Sequence, residues 1–287
     1  MERFTYVRAE SIPHAVALLN EPGVRSRPLA GGTDLVLLAR EEPGLFDRVV
    51  DITLIPELHR ITRADGHVTI GAGASFTEVM ESPIVQETAP VLAQACAEVG
   101  AVQIRNMGTL GGNVANAAAC ADSLPALVCL DAMATVVIPA GGLSWSVADL
   151  IVAPNRTRIP AGGLLISLSY PAPAPGSRSV FLKLGRRNAM AISRLTVAAL
   201  GRLDAAGRIA EARLVAGSAT PQIRRFTTVE QTLLGQTPGA ALFQSAAAAT
   251  TAEMIRLTGR RWSTEFKEPA LQAMAQEALR RVFVAEA

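Results

Sequence analysis

Two glycine-rich stretches lying well apart in the sequence, Gly31-Gly32-Thr33 and Gly108-Thr109-Leu110-Gly111-Gly112-Asn113, constrain this chain more than any other feature. Glycines 31 and 32 fall where the short apolar run Pro28-Leu29-Ala30 gives way to a helix expected to begin near Thr33. N–H groups at a helix start have no partner within the helix, and the missing Cβ lets an anion approach the main chain, so such a turn suits a phosphate. A single Gly-Gly pair serves as readily as a tight structural turn. The second stretch shifts the weighing, because two small-residue loops can enclose a pyrophosphate from two sides, as a dinucleotide such as FAD requires. Thr33, Thr109 and Asn113 offer neutral hydrogen bonds to it, and Asp122 offers an acceptor for a ribose or flavin donor.

The commoner nucleotide signatures are missing. The nearest approach to G-x-G-x-x-G is Gly71-Ala72-Gly73, with Phe76 at the third glycine position, and no G-x-x-x-x-G-K-[ST] occurs. Nicotinamide binding on a Rossmann scaffold and ATP hydrolysis are therefore disfavoured. A hydrolase has no G-x-S-x-G elbow to rest on. The 27 basic and 25 acidic residues leave a formal charge of +2, which gives no reason to expect nucleic acid as a partner. Cys96, Cys120 and Cys129 form no C-x-x-C pair, so a disulfide framework, a thiolate zinc site or an iron–sulfur cluster on this chain is not expected. Cys96, Cys120 and Cys129 read as packed core residues, with an approach of Cys120 to the cofactor as the alternative for that one position. His14, His59 and His67 are scattered without ligand spacing and read as surface or capping residues; no metal site is expected. Met1 to Tyr6 contain no apolar signal segment, and the most apolar stretch, 125–143, is broken by Asp131, Pro139 and Gly141-Gly142. A cytoplasmic protein without a transmembrane segment is the expectation.

Along the chain, Ser11 reads as an N-cap with Pro13 in the first turn of a helix reaching Leu19, stopped by Pro22-Gly23. With a strand at 48–52, the first fifty-odd residues read as a small β-α-β-α-β unit. Strands are expected at 67–70, 134–138 and 164–170, and helices at 76–80, 90–99 and 124–130. Pro171-Ala172-Pro173-Ala174-Pro175-Gly176 is the most linker-like segment, so a domain boundary is placed near 176. Beyond it come strands at 180–184, 196–203 and 212–217, then helices at about 239–257 and 268–284.

At this point a family resemblance enters. It is carried by Ala30-Gly31-Gly32-Thr33-Asp34-Leu35, by Ile70-Gly71-Ala72-Gly73-Ala74, and most specifically by Gln103-Ile104-Arg105-Asn106-Met107-Gly108-Thr109-Leu110-Gly111-Gly112-Asn113-Val114-Ala115-Asn116. Ala121-Asp122, Leu130-Asp131-Ala132, Phe181-Leu182-Lys183-Leu184-Gly185-Arg186-Arg187, Ala216-Gly217-Ser218-Ala219-Thr220-Pro221 and Ala278-Leu279-Arg280-Arg281 extend it over essentially the whole chain. Together they resemble the FAD-binding medium subunit of molybdenum hydroxylases, the family of carbon monoxide dehydrogenase and xanthine dehydrogenase.

The resemblance implies an α+β fold: a two-lobed FAD-binding domain of the vanillyl-alcohol-oxidase/PCMH type over 1–176, with lobes of about 1–55 and 56–176. A C-terminal flavoprotein domain over 177–287 would combine a small antiparallel sheet with a helical bundle. It also implies electron transfer. A molybdenum-pterin cofactor on a large partner subunit would hydroxylate the substrate, [2Fe–2S] clusters on a small subunit would relay the electrons, and FAD on this chain would pass them to an external acceptor. The assembly implied is a dimer of heterotrimers. No side chain is nominated as catalytic, the flavin being the redox centre.

Position by position, Leu29, Ala30, Gly31, Gly32, Thr33, Asp34, Leu35 and Val36 match the loop that wraps the FAD pyrophosphate, and Thr109, Gly111, Gly112 and Asn113 match the second phosphate loop. Asp122 matches an acidic contact to the sugar and adenine side, Leu165 a backbone contact to the flavin ring, and Lys183 a cation near the flavin N1–C2 edge. Ile104 belongs to the same cofactor-contacting set. So does Val99, which stands where xanthine-oxidising members place an aromatic over the flavin. Ala118-Ala119 replaces the Ser-Pro the family often carries before the aspartate. Two other readings remain open: a self-contained flavin oxidoreductase of the same fold, disfavoured by the lack of a histidine in either glycine loop, and a nucleotide-binding scaffold subunit.

Overall fold

The structure is a computed structural model and describes residues 4–284. The N-terminal segment Met1–Arg3 and the last three residues lie outside the described residues.

The first lobe is a three-stranded parallel sheet with two helices. Its elements are β1 (Thr5–Arg8), α1 (Ile12–Leu19), β2 (Ser26–Leu29), α2 (Leu35–Glu41) and β3 (Arg48–Asp51), in the sheet order β1-β3-β2. Helix α1 forms where the sequence places it, with the Ser11 hydroxyl accepting from the His14 N–H at 3.3 Å and Ala15, Val16 and Leu19 buried on one face. Helix α2 begins at Leu35 instead of Thr33, without a side-chain cap, and buries none of its residues. A 3₁₀ turn at Pro56–His59 leads out of the lobe.

The second lobe opens with β4 (Ile61–Ala64) and β5 (His67–Gly71), joined by the two-residue turn Asp65-Gly66, both at positive φ. That is the backbone an Asp-Gly hairpin favours. Six short helices follow: α3 (Phe76–Glu81), α4 (Pro83–Thr88), α5 (Pro90–Ala97), α6 (Val102–Met107), α7 (Leu110–Asn116) and α8 (Ser123–Cys129). Then come β6 (Met133–Ile138), β7 (Gly141–Ser146), α9 (Val147–Leu150), β8 (Ile151–Ala153), β9 (Arg156–Thr157) and β10 (Leu164–Pro171). The main sheet of this lobe is antiparallel in the order β4-β5-β10-β6-β7. Its core includes Tyr170, fully buried, with its hydroxyl 3.0 Å from that of Thr88. Burial pushes the Tyr170 phenol up to about 12.

The C-terminal portion is a three-stranded antiparallel sheet, β11 (Arg178–Leu184), β12 (Leu195–Leu203) and β13 (Ile209–Gly217), followed by α10 (Thr227–Leu233), α11 (Ala240–Thr258) and α12 (Thr264–Phe283). The apolar run at the start of β12 serves both faces of this sheet. Leu195, Val197 and Ala199 pack with the helices, whereas Ala198 and Leu200 join the core of the second lobe. In β13, Leu214 and Ala216 face one way and Val215 the other. A strand alternates its side chains with period two, so a sheet covered on both sides reads as continuously apolar. The sheet thus clamps its own helices to the second lobe. No helix among the described residues is long and apolar enough to cross a membrane.

Candidate functional site

The two glycine stretches lie at the seam between the lobes, and hydrogen-bond accounting separates their roles. Among the described residues, the backbone N–H groups of Gly31, Gly32, Thr33 and Asp34 donate to nothing within the protein. Gly32, at φ +70°, turns the chain there. Four successive free donors, three of them on half-buried residues, leave a stretch of main chain of the kind that can accept an anion.

In the second stretch, expected to offer successive N–H groups, most of the donors are committed. Residues 110–116 form α7. Thr109 is its N-cap, the hydroxyl accepting from the Gly112 N–H at 3.0 Å. The N–H groups of Leu110 and Gly111 donate at 2.9 Å to the carbonyls of Ala74 and Ala72, and that of Asn113 to Thr109 at 3.0 Å. All four donors are spent inside the protein. Here the glycines allow backbones to meet: a Cβ on Gly111 would lie 2.4 Å from the Ala72 Cβ, and one on Gly31 would lie 1.9 Å from the Met107 carbonyl oxygen. Gly71 does the same for the Pro56–His59 turn, where a Cβ would come within 2.2 Å of the Leu58 carbonyl oxygen. Three loops are thereby locked together at the seam.

Two features flank this junction. One is a cavity of about 420 Å³ lined in part by Ala30, Gly31, Thr109, Ser75, Asn106 and His59. His59, expected to be a scattered surface residue, borders it. Its Nε2 lies 2.9 Å from the Thr53 carbonyl and its Nδ1 3.8 Å from a Glu78 carboxylate oxygen. The signal that could have found His59 was the pair Gly71 and Gly73, whose missing side chains seat the turn that carries it.

The other feature is a polar strip along the crevice. Asn116 donates to Asp34 at 2.9 Å, the Asp34 carboxylate also accepts from Thr33 at 3.3 Å, and Ser123 donates to the Asn113 side chain at 2.6 Å. The strip ends in a buried ion pair. The Lys183 ammonium lies 2.8 Å from Asp122, with side chains 7% and 8% exposed, and it also donates to the Glu98 carbonyl at 2.7 Å. Ser193 donates to the other Asp122 oxygen. Burial raises the Asp122 carboxyl above the usual range, with Lys183 and Ser193 pulling the other way. The residues expected at the sugar and adenine side and at the flavin edge are thus in direct contact with each other.

The remaining positions scatter around this crevice. Val99 is half-buried and its carbonyl accepts from Arg105 at 3.1 Å; Ile104 is exposed and packs under Gly100. The Leu165 side chain is buried at an irregularity in β10, and Leu29 closes β2. Leu35 is half-buried, whereas Val36 and Leu37 stand exposed on α2 beside Asp34. Cys120 is half-buried, its thiol raised first by burial and then by Asp122. Cys96 and Cys129 are buried and raised further. Among the described residues no group of three or more His, Cys, Asp or Glu could hold a metal ion.

A crevice with free main-chain donors at one point and a buried lysine–aspartate pair at another fits a long anionic dinucleotide. Comparison with known proteins decides which kind. The family described as the FAD binding domain in molybdopterin dehydrogenase matches residues 2–173, and the CO dehydrogenase flavoprotein C-terminal domain matches residues 180–282. The chain belongs to this family of FAD-binding medium subunits. The putative xanthine dehydrogenase FAD-binding subunit of Escherichia coli (strain K12) is 30% identical over 277 residues, covering 96% of this chain and 94% of its own. The glyceraldehyde dehydrogenase medium chain of Sulfolobus acidocaldarius is 27% identical over 282 residues, 97% of this chain and 98% of its own. Among solved structures, reconstituted CO dehydrogenase from Oligotropha carboxidovorans superposes with a TM-score of 0.91 at 25% identity, over 99% of both chains. This FAD-binding subunit is thus part of an oxidoreductase family and has its α+β fold.

Proposed function

We propose that this chain holds FAD in the interlobe crevice and serves as the flavin-carrying electron-transfer subunit of a molybdenum hydroxylase. Electrons would reach it from [2Fe–2S] clusters on a small partner subunit, fed by a large molybdopterin-binding subunit, and leave to an external acceptor. The observation that carries the reading is the run of uncommitted N–H groups from Gly31 to Asp34 beside the polar strip ending at Lys183. When bound, FAD supplies the exchange between one-electron donors and the acceptor. The Gly31–Asp34 main chain would take the pyrophosphate charge, and the Lys183 ammonium would face the flavin edge on which negative charge accumulates.

Surface chemistry supports a role as a subunit. Val36, Leu37, Val102, Ile104 and Met107 stand exposed around the seam, and Trp262 is 87% exposed on the C-terminal portion. Apolar groups gathered beside a crevice are what a partner chain or cofactor covers. We assign 1–176 to FAD binding and 177–287 to the C-terminal flavoprotein domain, and place the assembly in the cytoplasm as a dimer of heterotrimers.

The test is reconstitution of the purified chain with FAD. One FAD per chain is expected, with Thr33→Pro, which removes one main-chain donor, and Lys183→Met each weakening binding at least about tenfold, as loss of a hydrogen bond to a charged group implies. Stoichiometric FAD with unchanged affinity in Thr33→Pro would overturn the assignment of the first loop. Absence of FAD binding in the natural sequence would overturn the whole reading.

A further inference from the structure

The Asp122–Lys183 pair contains a third polar residue that no sequence signal marked. Ser193 precedes β12 and follows the exposed segment 186–192, yet it is itself buried. Its hydroxyl donates to one Asp122 oxygen while the other receives Lys183. The geometry fixes the lysine through proton counting. An ammonium carries three N–H donors. One goes to the Glu98 carbonyl at 2.7 Å and one to Asp122 at 2.8 Å, and the third has no partner among the described residues. A buried lysine with one free N–H is a directed donor, unlike the freely rotating ammonium of a surface lysine. Its direction depends on where Asp122 stands, and Ser193 holds Asp122.

We propose that Ser193 is a positioning residue: by anchoring Asp122 it leaves Lys183 one oriented proton for the electron-rich edge of the bound flavin. The inference rests on the crevice being the FAD site. A positive charge held there favours reduced over oxidised FAD, because reduction adds negative charge at the flavin edge. Without the Ser193 hydroxyl, Asp122 is left in a site where burial already favours the neutral acid, and a neutral acid no longer holds the lysine. The charged and titratable groups around Asp122 are Lys183 from β11, Glu98 and Cys96 from the α5 region, and Cys120 from the preceding loop. Among these groups only Lys183 is a cation, so its charge and the Ser193 hydrogen bond are what oppose protonation of Asp122.

The experiment titrates FAD-free protein with oxidised FAD and with dithionite-reduced FAD at pH 8, and reads the ratio of the two dissociation constants. Ser193→Ala is expected to lose about tenfold in its relative preference for reduced over oxidised FAD, the size of one hydrogen bond to a charged group. Ser193→Thr, which keeps a hydroxyl, should restore the ratio, and Lys183→Met should abolish the preference. A ratio unmoved by Ser193→Ala, with an unchanged unfolding midpoint, overturns the role of Ser193 and leaves the FAD reading standing. If Ser193→Ala lowers the midpoint, Ser193→Thr carries the test, and its failure to match the natural ratio overturns the proposal. No binding of either form by the natural sequence defeats the FAD reading itself.

Discussion

Gly111 and Gly112 are neighbours in one motif, yet the structure gives them opposite sensitivities to a single added methyl group. In Gly111→Ala the new Cβ would lie 2.4 Å from the Ala72 Cβ and 2.5 Å from the Ala72 carbonyl oxygen. Ordinary carbon–carbon contact is about 3.5–4.0 Å, so the two backbones must part by roughly 1 Å. Neither side yields readily: the Ala72 N–H is tied to the Ile166 carbonyl at 2.9 Å, and the Ala72 carbonyl accepts from Gly111 at 2.9 Å. Overpacking costs about 2 kcal/mol and the broken backbone hydrogen bond about 1, while alanine returns about 1 through its helix propensity. The expected net loss is about 2 kcal/mol. In Gly112→Ala the only close atom is the Thr109 hydroxyl, at 2.8 Å, which can rotate away. That forfeits an N-cap bond of about 1 kcal/mol against a similar propensity gain, so the change should be near neutral. Urea unfolding of the FAD-free protein, followed by circular dichroism, measures both. If the two variants agree within about 0.5 kcal/mol, the ordinary scatter of benign substitutions, the packing account is wrong. If Gly111→Ala then still loses FAD at unchanged stability, the glycine acts at the cofactor after all.

Two further outcomes follow from features far from the seam. Glu277 is held down to about 2 by Arg280 first and Arg281 second, at 2.8 and 2.7 Å, so it adds stability above its unfolded value of 4.5. That contribution is lost as pH falls from 4.5 toward 2; Glu277→Gln should flatten the urea midpoint over this window, by under about 1 kcal/mol because solvent screens so exposed a pair. Gly66 sits at φ +73° in the β4–β5 turn with no atom within 4 Å of an added Cβ, so Gly66→Ala should cost about 1 kcal/mol through backbone strain alone, read by the same unfolding assay.

What the sequence made legible was whatever a single element decides for itself. The Ser11 cap with Pro13, the alternation of His67-Val68-Thr69-Ile70 and the long helices of the C-terminal portion are local, and β11, β12 and β13 fall within a few residues of their expected spans. Residues 76–116 were harder, because five helices of eight residues or fewer carry too few turns for a periodic stripe and owe their ends to tertiary contacts such as Leu110 N–H to Ala74. The Asp122–Lys183–Ser193 cluster was beyond local reading, since it forms only when the C-terminal sheet closes on the second lobe.

The glycines show why motif and mechanism part company. A phosphate and a neighbouring backbone make the same demand on a residue, that it carry no Cβ, so Gly31 and Gly111 look alike on the page. They differ in whether the surrounding donors are spent. The N–H groups of Leu110, Gly111, Gly112 and Asn113 are already bonded, to Ala74, Ala72 and the Thr109 hydroxyl and carbonyl, so a pyrophosphate placed against that turn would find them satisfied. Among the described residues, no main-chain N–H from Gly31 to Asp34 is spent. The second motif therefore builds the junction that holds the first in shape, and the first is where a run of main-chain donors stays uncommitted.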